Sequence, residues 1–149
     1  MKKIKKFKTA ISFKIFKVDE NGFHLSLSAK INGKKSNLIL DTGASRSVFD
    51  KKISKLTKNS AEAKPSDKLS TGIGNTKLKS ELLEIDEIKI GDLIIKNYET
   101  VLIDLSYVNE AYRQSGNKKI EGILGCDILK KYKAMIDFPN KKLFLSYKK

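Results

Sequence analysis

The sequence predicts an all-β protein with one short helix near its C-terminus. Apolar and polar residues alternate over residues 23–28, which is typical of a half-buried strand. Turn-forming pairs, first Asn32 with Gly33 and later Gly91 with Asp92, separate short apolar segments at hairpin spacing. Helical periodicity is convincing only near residues 127–132. The 149 residues are enough for one domain whose core needs no disulfide.

The first predicted hairpin leads directly to Asp41. Its first strand covers residues 23–28, and its second covers residues 37–40 after the turn at Asn32 and Gly33. His24 falls on the polar side of the first strand. We therefore interpret this histidine as an exposed strand residue rather than a catalytic one.

The rest of the chain is also rich in strands. Residues 70–76 are polar and contain two glycines, as the tip of a hairpin does. Pro139 and Asn140 form a turn signal before a closing strand. The further predicted strands are rich in β-branched or aromatic residues and cover residues 82–90, 93–95, 101–103 and 143–147.

The formal charge of +14 is concentrated at the two ends of the chain. Residues 1–18 carry seven lysines and no acid, and residues 130–149 carry seven lysines and one acid. We divide the chain into a basic N-terminal segment, residues 1–19, and one domain, residues 20–149. Basic ends are compatible with an adaptor for nucleic acid or an anionic membrane surface. Only two of the 31 basic residues are arginine, and lysine-rich faces are usually just solvated, so we do not favour nucleic acid.

The composition excludes several kinds of chemistry. One histidine and one cysteine are too few for a histidine-based metal site, a Ser-His-Asp triad or a disulfide framework. We expect no metal ion and no cofactor. The N-terminal apolar stretch is short and interrupted by Lys14 and Lys17, and no apolar run approaches the ~18 residues of a spanning helix. We expect a cytoplasmic protein without a membrane span.

The most informative motif begins at Asp41. A carboxylate at the end of an apolar strand, followed by Thr42 and Gly43, is suited to entering a cleft, because glycine allows close approach of another backbone and threonine can hydrogen-bond across a loop. The alternative is an aspartate that merely opens a turn. The motif alone leaves the two interpretations equally weighted.

A second motif lies about eighty residues later. Residues 121–129 contain the apolar pair Ile123 and Leu124, then Gly125 and the start of a helix. The order and spacing of the two motifs resemble the retroviral-type, or retropepsin-like, aspartic protease family. This resemblance covers roughly residues 20–147, and the closing residues 135–140 also look like cellular and bacterial members.

The resemblance implies a fold and a site. The fold would be a closed or partly open β-barrel with a flap hairpin and one short C-terminal helix. Asp41 would be catalytic, supported by the rest of its loop, Thr42, Gly43 and Ala44. The substrate-binding flap would contain Thr71, Gly72, Ile73 and Gly74, and the cleft floor would contain Ile123, Leu124 and Gly125.

Two positions depart from the viral pattern, which has an acid after the Asp-Thr-Gly-Ala motif and an arginine after the second motif's glycine. Here these positions hold Ser45 and Cys126, both neutral. We expect Cys126 to be a small buried apolar group rather than a reactive thiol.

The implied activity is that of an aspartic endopeptidase. Two carboxylates at close range share one proton and can act as general acid and general base on water and a peptide bond. One Asp-Thr-Gly supplies only one carboxylate, so the simplest complete site is a homodimer with Asp41 from each subunit on its axis. Asp104 and Asp137 lack the following Thr-Gly, and we interpret them as strand-end acids. The alternative function is a catalytically inactive binding or dimerisation module.

Overall fold

The computed structural model of the protein describes residues 5–57, 64–66 and 80–149. Within this part of the chain, ten strands form one sheet. In chain order they are β1 (Lys6–Lys17), β2 (Phe23–Ile31), β3 (Lys34–Leu40), β4 (Val48–Asp50), β5 (Lys64–Ser66), β6 (Ser80–Ile90), β7 (Leu93–Ile103), β8 (Gly122–Leu124), β9 (Met135–Asp137) and β10 (Lys142–Lys148). The helical elements are a 3-10 helix (Lys51–Leu56), α1 (Ser106–Gln114) and α2 (Cys126–Lys131).

Six of the strands close into a barrel, in the order β6, β7, β4, β8, β3, β2. The closure is made by β2 and β6, which pair antiparallel through Lys30 with Lys89 and Ile31 with Ile88. The predicted all-β barrel is therefore confirmed, in its closed form. Two parallel pairings, β3 with β8 and β4 with β7, lie next to each other and bring together the two motifs identified in the sequence.

The barrel interior is filled by alternate residues of its strands. On β2, for example, Leu27, Ala29 and Ile31 are buried, whereas Ser28 and Lys30 are exposed. Each fully buried aliphatic side chain contributes about 1.5–3 kcal/mol relative to an exposed one. A second, smaller apolar cluster lies on the other face of the barrel wall, where β3, β4 and β7 meet α1.

The described part of the basic N-terminal segment, residues 5–19, contributes a strand to this sheet. β1 pairs with β10 through residues 6–12 and with β2 through residues 13–17. Ile11 and Phe13 of β1 point into the core, while Lys8 and Lys14 are exposed. The two lysine-rich ends of the chain therefore lie side by side, with their charges on the solvent side.

The turns predicted at residues 32–33, 91–92 and 139–140 are present, whereas the hairpin tip predicted at residues 70–76 lies outside the described residues. Asn32 and Gly33 both have positive φ, 48° and 81°, as the tight turn between β2 and β3 requires. Asn32 also ties the turn to its surroundings: its Oδ1 accepts the N–H of Glu87 at 3.0 Å, and its Nδ2 donates to the carbonyl of Leu56 at 3.1 Å.

The predicted C-terminal helix is present as α2, but α1 is an additional helix that the sequence analysis missed. Leu105, Val108 and Tyr112 recur at helical spacing and pack in or against the smaller apolar cluster, a pattern that the sequence analysis did not recognise. Its first turn is held by Asp104, whose Oδ1 accepts the N–H and the hydroxyl of Ser106 at 2.9 and 2.5 Å. Neither helix, nor any other helical stretch of the described residues, has the length and hydropathy needed to cross a bilayer.

Candidate active site

Asp41 lies immediately after β3, at the end of the barrel where the loop turns outward. Its backbone N–H donates to the carbonyl of Leu124 on β8, at 3.1 Å. Its carboxylate Oδ1 accepts the N–H of Gly43 at 2.8 Å, and its carbonyl accepts the N–H of Ala44 at 3.3 Å. Asp41 and Ala44 are half-buried, whereas Thr42 and Gly43 are exposed. The loop thus holds one carboxylate in a fixed position that solvent can reach.

Gly43 allows this arrangement because a side chain there would crowd the carboxylate. A Cβ built on Gly43 would lie 3.1 Å from the Oδ1 of Asp41. The predicted support of Asp41 by its own loop therefore has a geometric basis, in the N–H and the small size of this one residue.

The second motif packs against the first. A Cβ built on Gly125 would lie 2.6 and 2.7 Å from the carbonyl carbon and oxygen of Arg46, and 2.8 Å from the carbonyl oxygen of Ala44. All three atoms belong to the backbone of the Asp41 loop. Gly125 is therefore the position at which the two segments come into direct backbone contact.

Cys126 fastens the same loop. Its N–H donates to the carbonyl of Ala44 at 2.8 Å, and its thiol donates to the carbonyl of Thr42 at 3.0 Å. Cys126 is half-buried, so the expectation of a buried apolar group was wrong. Its position at the start of α2, beside polar backbone groups of an exposed loop, keeps it partly in contact with solvent.

The residues that lock the two motifs together are Ser47, Asp127 and Tyr98. The carboxylate Oδ1 of Asp127 accepts the N–H of Ser47 at 2.8 Å and its hydroxyl at 2.7 Å. The hydroxyl of Tyr98 donates to the other carboxylate oxygen of Asp127. The N–H of Gly125 in turn donates to the hydroxyl oxygen of Ser47 at 2.8 Å.

These hydrogen bonds form a network of Ser47, Asp127 and Tyr98, and they shift the pKa values of Asp127 and Tyr98. Burial opposes ionisation of Asp127, but the hydrogen bonds from Tyr98 and Ser47 outweigh it and hold the pKa of this carboxyl below its ordinary value. Burial, together with the hydrogen bond to Asp127, raises the pKa of Tyr98 well above its ordinary value. Sequence analysis missed the network, because an aspartate in the first turn of a helix is common for helix-dipole reasons alone.

A cluster of rings lies beside Asp41. Leu25 and Leu40 form the last pair of the ladder between β2 and β3. His24 precedes Leu25 and Asp41 follows Leu40, so both lie at the same end of these two strands. The Nδ1 of His24 lies 2.7 Å from the hydroxyl of Tyr112, and Phe16 packs edge-on against both rings. Burial raises the pKa of Tyr112, and the negative charge of Asp41 raises it further. His24 is exposed, as expected, but it contacts a buried helix residue.

The structure describes only some of the remaining predicted site residues. Ile123 faces the smaller apolar cluster with Ile39, whereas Leu124 is fully buried in the barrel core. The side chains of the predicted cleft floor therefore point to opposite sides of β8. The predicted flap, residues 71–74, lies outside the described residues. Asp104 and Asp137 are strand-end acids as predicted: Asp137 accepts the backbone N–H of Asn140 at 3.0 Å.

The comparisons with known proteins agree with this geometry. Residues 27–128, which include both motifs, match the family model described as aspartyl protease. A retropepsin-like aspartic protease from Rickettsia conorii has a similar fold, with a TM-score of 0.58 and 21% identity, covering 97% of this chain and 94% of that one.

The retroviral protease-like domain of Ddi1 from Leishmania major is also similar, with a TM-score of 0.55 and 18% identity, covering 82% of this chain and 87% of that one. No curated protein sequence matches this chain significantly. The family match covers more than half of the sequence and contains the Asp41 loop, β8 and most of the barrel. The protein belongs to the aspartyl protease family, with a retropepsin-like fold.

Proposed function

We propose that the protein is an aspartic endopeptidase that acts as a homodimer, with Asp41 of each subunit forming one catalytic pair. The observation that carries this proposal is the fixed, solvent-accessible carboxylate of Asp41. Its Oδ1 is oriented by the N–H of Gly43 at 2.8 Å, on a loop that β8 and α2 support from below. The carboxylate also opens the turn of this loop, as the alternative interpretation of the motif requires, and Asp41 remains half-exposed.

A second copy of the chain would complete the site. Peptide hydrolysis without a covalent nucleophile requires one group to accept a proton from water and another to donate one. Asp104 and Asp137 are engaged at other strand ends. A twofold axis beside the exposed Thr42 and Gly43 would bring two Asp41 side chains together.

The surface at this edge of the sheet supports such a contact. Phe23 begins β2 next to the point where β3 ends, and it is 59% exposed. A large apolar side chain beside an exposed loop is suited to burial against a partner. Dimerisation would remove this ring from water and bring the loops into contact.

The proposed reaction uses the pair in both protonation states. The ionised carboxylate accepts a proton from water as the water oxygen bonds to the peptide carbonyl carbon, while the protonated carboxyl donates its proton to the carbonyl oxygen. Breakdown of the tetrahedral intermediate then cleaves the C–N bond: the leaving amine takes up a proton from the pair, and one hydroxyl of the intermediate returns a proton to the pair as the product carboxyl forms. In each subunit the N–H of Gly43 would keep the carboxylate oriented.

The first test is Asp41→Asn, measured by mass spectrometry of a mixed peptide library between pH 4 and 7. The amide keeps the shape of the side chain but cannot exchange a proton, so cleavage should disappear while the circular dichroism spectrum is unchanged. Asp104→Asn is the matched control and should retain activity. Full cleavage by Asp41→Asn would remove this residue from the catalytic role.

The second test concerns the dimer. Specific activity should fall when the wild-type chain is diluted below its dimer dissociation constant, because a monomer holds half a site. Adding excess Asp41→Asn chains should inhibit the wild type through inactive heterodimers, whereas excess Asp104→Asn chains should not. Activity per chain that ignores both dilution and the inactive chains would show that one subunit carries a complete site.

A further inference from the structure

A groove of about 660 Å³ lies on the outer face of β1, β2 and β3. Its remaining wall is the segment from residue 116 to residue 121, which connects α1 to β8. The groove is distinct from the loop of Asp41, and no motif in the sequence pointed to it.

The groove is strongly basic. Four lysines line it, Lys14, Lys35, Lys118 and Lys119, against one carboxylate, Glu121. That carboxylate is already engaged, because its Oε2 accepts the backbone N–H of Asn37 at 2.6 Å. Among the described residues, none of the four ammonium groups forms an ion pair. The positive charge of the groove is therefore available to a ligand.

The walls of the groove are held in place by hydrogen bonds. The side-chain amide of Asn117 donates to the carbonyl of Lys17 on β1 at 3.0 Å, and its backbone N–H donates to the carbonyl of Tyr112 at 2.8 Å. On the other side, the side-chain amide of Asn37 donates to the carbonyl of Lys119 at 3.3 Å. The lysine-bearing segment is thus fastened to two strands, and the groove exists before any ligand binds.

The groove lies along the same strand that ends at Asp41. Lys35 and Asn37 alternate with the buried Ser36 and Leu38, so both lie on the outer face of β3, the face of Ile39. Asp41 follows Asn37 by four positions of extended chain, a distance of about 13 Å. On this face Ile39 is buried in the smaller apolar cluster with Tyr112 and Ile120, so a bound peptide would pass around α1 to reach Asp41 and would need more than four residues.

We propose that this basic groove is an accessory binding site for an acidic segment of the protein substrate, several residues away from the peptide bond that is cut. The proposal rests on the proposed function and adds a substrate class to it: proteins with a run of Asp or Glu near the cleavage site. Ammonium groups that form no ion pair with the described residues can gain carboxylate partners without breaking any ion pair seen there.

A peptide fits the groove better than a nucleic acid does. Recognition of single-stranded nucleic acid uses aromatic rings on which bases stack. Among the lining residues that the structure describes, the only ring is Phe16, and its edge contacts with His24 and Tyr112 occupy it. The same described lining contains no arginine, although arginine is the side chain best suited to phosphate.

The test uses the full-length Asp41→Asn chain, so that binding is measured without cleavage. Fluorescence anisotropy would compare a labelled Glu-rich peptide of twelve residues with the same peptide carrying Gln in place of Glu. The Glu-rich peptide should bind more tightly, and its affinity should fall as salt rises from about 0.05 to 0.5 M, because exposed charges are screened. Equal binding of the two peptides would overturn the proposal.

Charge reversal locates the binding site. Lys118→Glu combined with Lys119→Glu should weaken binding of the Glu-rich peptide by roughly tenfold, the effect of two exposed ion pairs of modest strength. The matched control reverses Lys6 and Lys148, an exposed pair at the far end of β1 and β10, and changes the net charge by the same amount. An equal loss in both variants would mean that net charge alone attracts the peptide, which would overturn the proposal.

Two further measurements separate the remaining outcomes. A single-stranded oligonucleotide that binds the groove more tightly than the Glu-rich peptide, and loses binding in the same double variant, would make the groove a nucleic-acid site instead. In the active chain, the double variant should lower kcat/KM for substrates with an acidic segment and leave neutral substrates unchanged. Absence of all cleavage would contradict the proposed function but not peptide binding in the groove, which the inactive chain reports independently.

Discussion

The hydroxyl of Ser47 donates to the carboxylate of Asp127 at 2.7 Å, across a separation of 80 residues in the chain. The same hydroxyl accepts the N–H of Gly125 at 2.8 Å. One buried side chain therefore connects the segment after the Asp41 loop with the segment that supports it. This chain therefore joins its two motifs through Ser47 and Asp127.

Loss of this hydroxyl should destabilise the fold. Ser47→Ala leaves the N–H of Gly125 without its acceptor in a buried environment and removes one donor from Asp127, so we expect a loss of about 1–3 kcal/mol in the free energy of unfolding. Urea denaturation would measure it. Ser45→Ala, at an exposed neighbouring position, is the control and should change stability by no more than about 0.5 kcal/mol. Equal stability of the two variants would contradict a structural role for the network.

The network also predicts how stability depends on pH in acid. Hydrogen bonds from Tyr98 and Ser47 outweigh the effect of burial and lower the pKa of Asp127 in the folded chain. Its ionised form therefore stabilises the fold above the unfolded-state pKa of about 3.9, and this contribution is lost as the pH falls through the lowered pKa of the folded state.

Asp127→Asn should be less stable than the wild type at pH 7 and lose less stability between pH 5 and 2. Because all other acids are common to both chains, the difference in urea midpoint between them isolates Asp127. Parallel curves for the two proteins would rule out the assigned pKa shift.

At alkaline pH the dependence of stability on pH has the opposite sign, and Tyr98 is the group concerned. Burial and the bond to Asp127 raise the pKa of Tyr98 when the chain is folded. The neutral phenol therefore stabilises the fold fully below about pH 10, and the contribution is lost as the pH rises above that value. Tyr98→Phe should be less stable than the wild type at neutral pH, and the gap in urea midpoint should narrow from pH 9 to 11. A constant gap would show that the phenol ionises equally in both states.

Gly125 should tolerate no side chain. In Gly125→Ala the added carbon would lie 2.6 Å from a backbone atom of Arg46, so the Asp41 loop must move. We expect the free energy of unfolding to fall by about 1–3 kcal/mol or more, as in other overpacked sites, and peptide cleavage to fall with it. Thermal unfolding and the peptide-library assay would measure the two effects.

Gly33→Ala separates the steric effect from a backbone effect. Gly33 has a φ of +81° and open space around its Cα, so alanine there meets conformational strain without a clash. It should lose stability of the order of 1 kcal/mol and keep full cleavage activity. If Gly125→Ala behaves in the same way, the close contact between the two motifs does not position the site.

Local patterns were sufficient where the deciding interactions are local. The turn at Asn32 and Gly33 was predictable because only a few residue types adopt positive φ readily, and the structure has both residues there. The short helix α2 was also predictable from a local pattern, its own helical periodicity. By contrast, α1 was missed although Leu105, Val108 and Tyr112 recur at helical spacing, and its contact with His24 could not be read from the sequence.

The sequence by itself determined the all-β class, the position of Asp41 at the end of an apolar strand and the family, because strand alternation, turn chemistry and motif spacing are all written along the chain. Only the tertiary structure decided that Cys126 fastens the Asp41 loop, that hydrogen bonds from Ser47 and Tyr98 lower the pKa of Asp127, and that four lysines share one groove. Each of these features joins residues that are far apart in the chain and adjacent only after the barrel closes. Their distances and their pKa values depend on that closure, since burial and hydrogen bonding, not residue type, set how a polar group behaves in a protein.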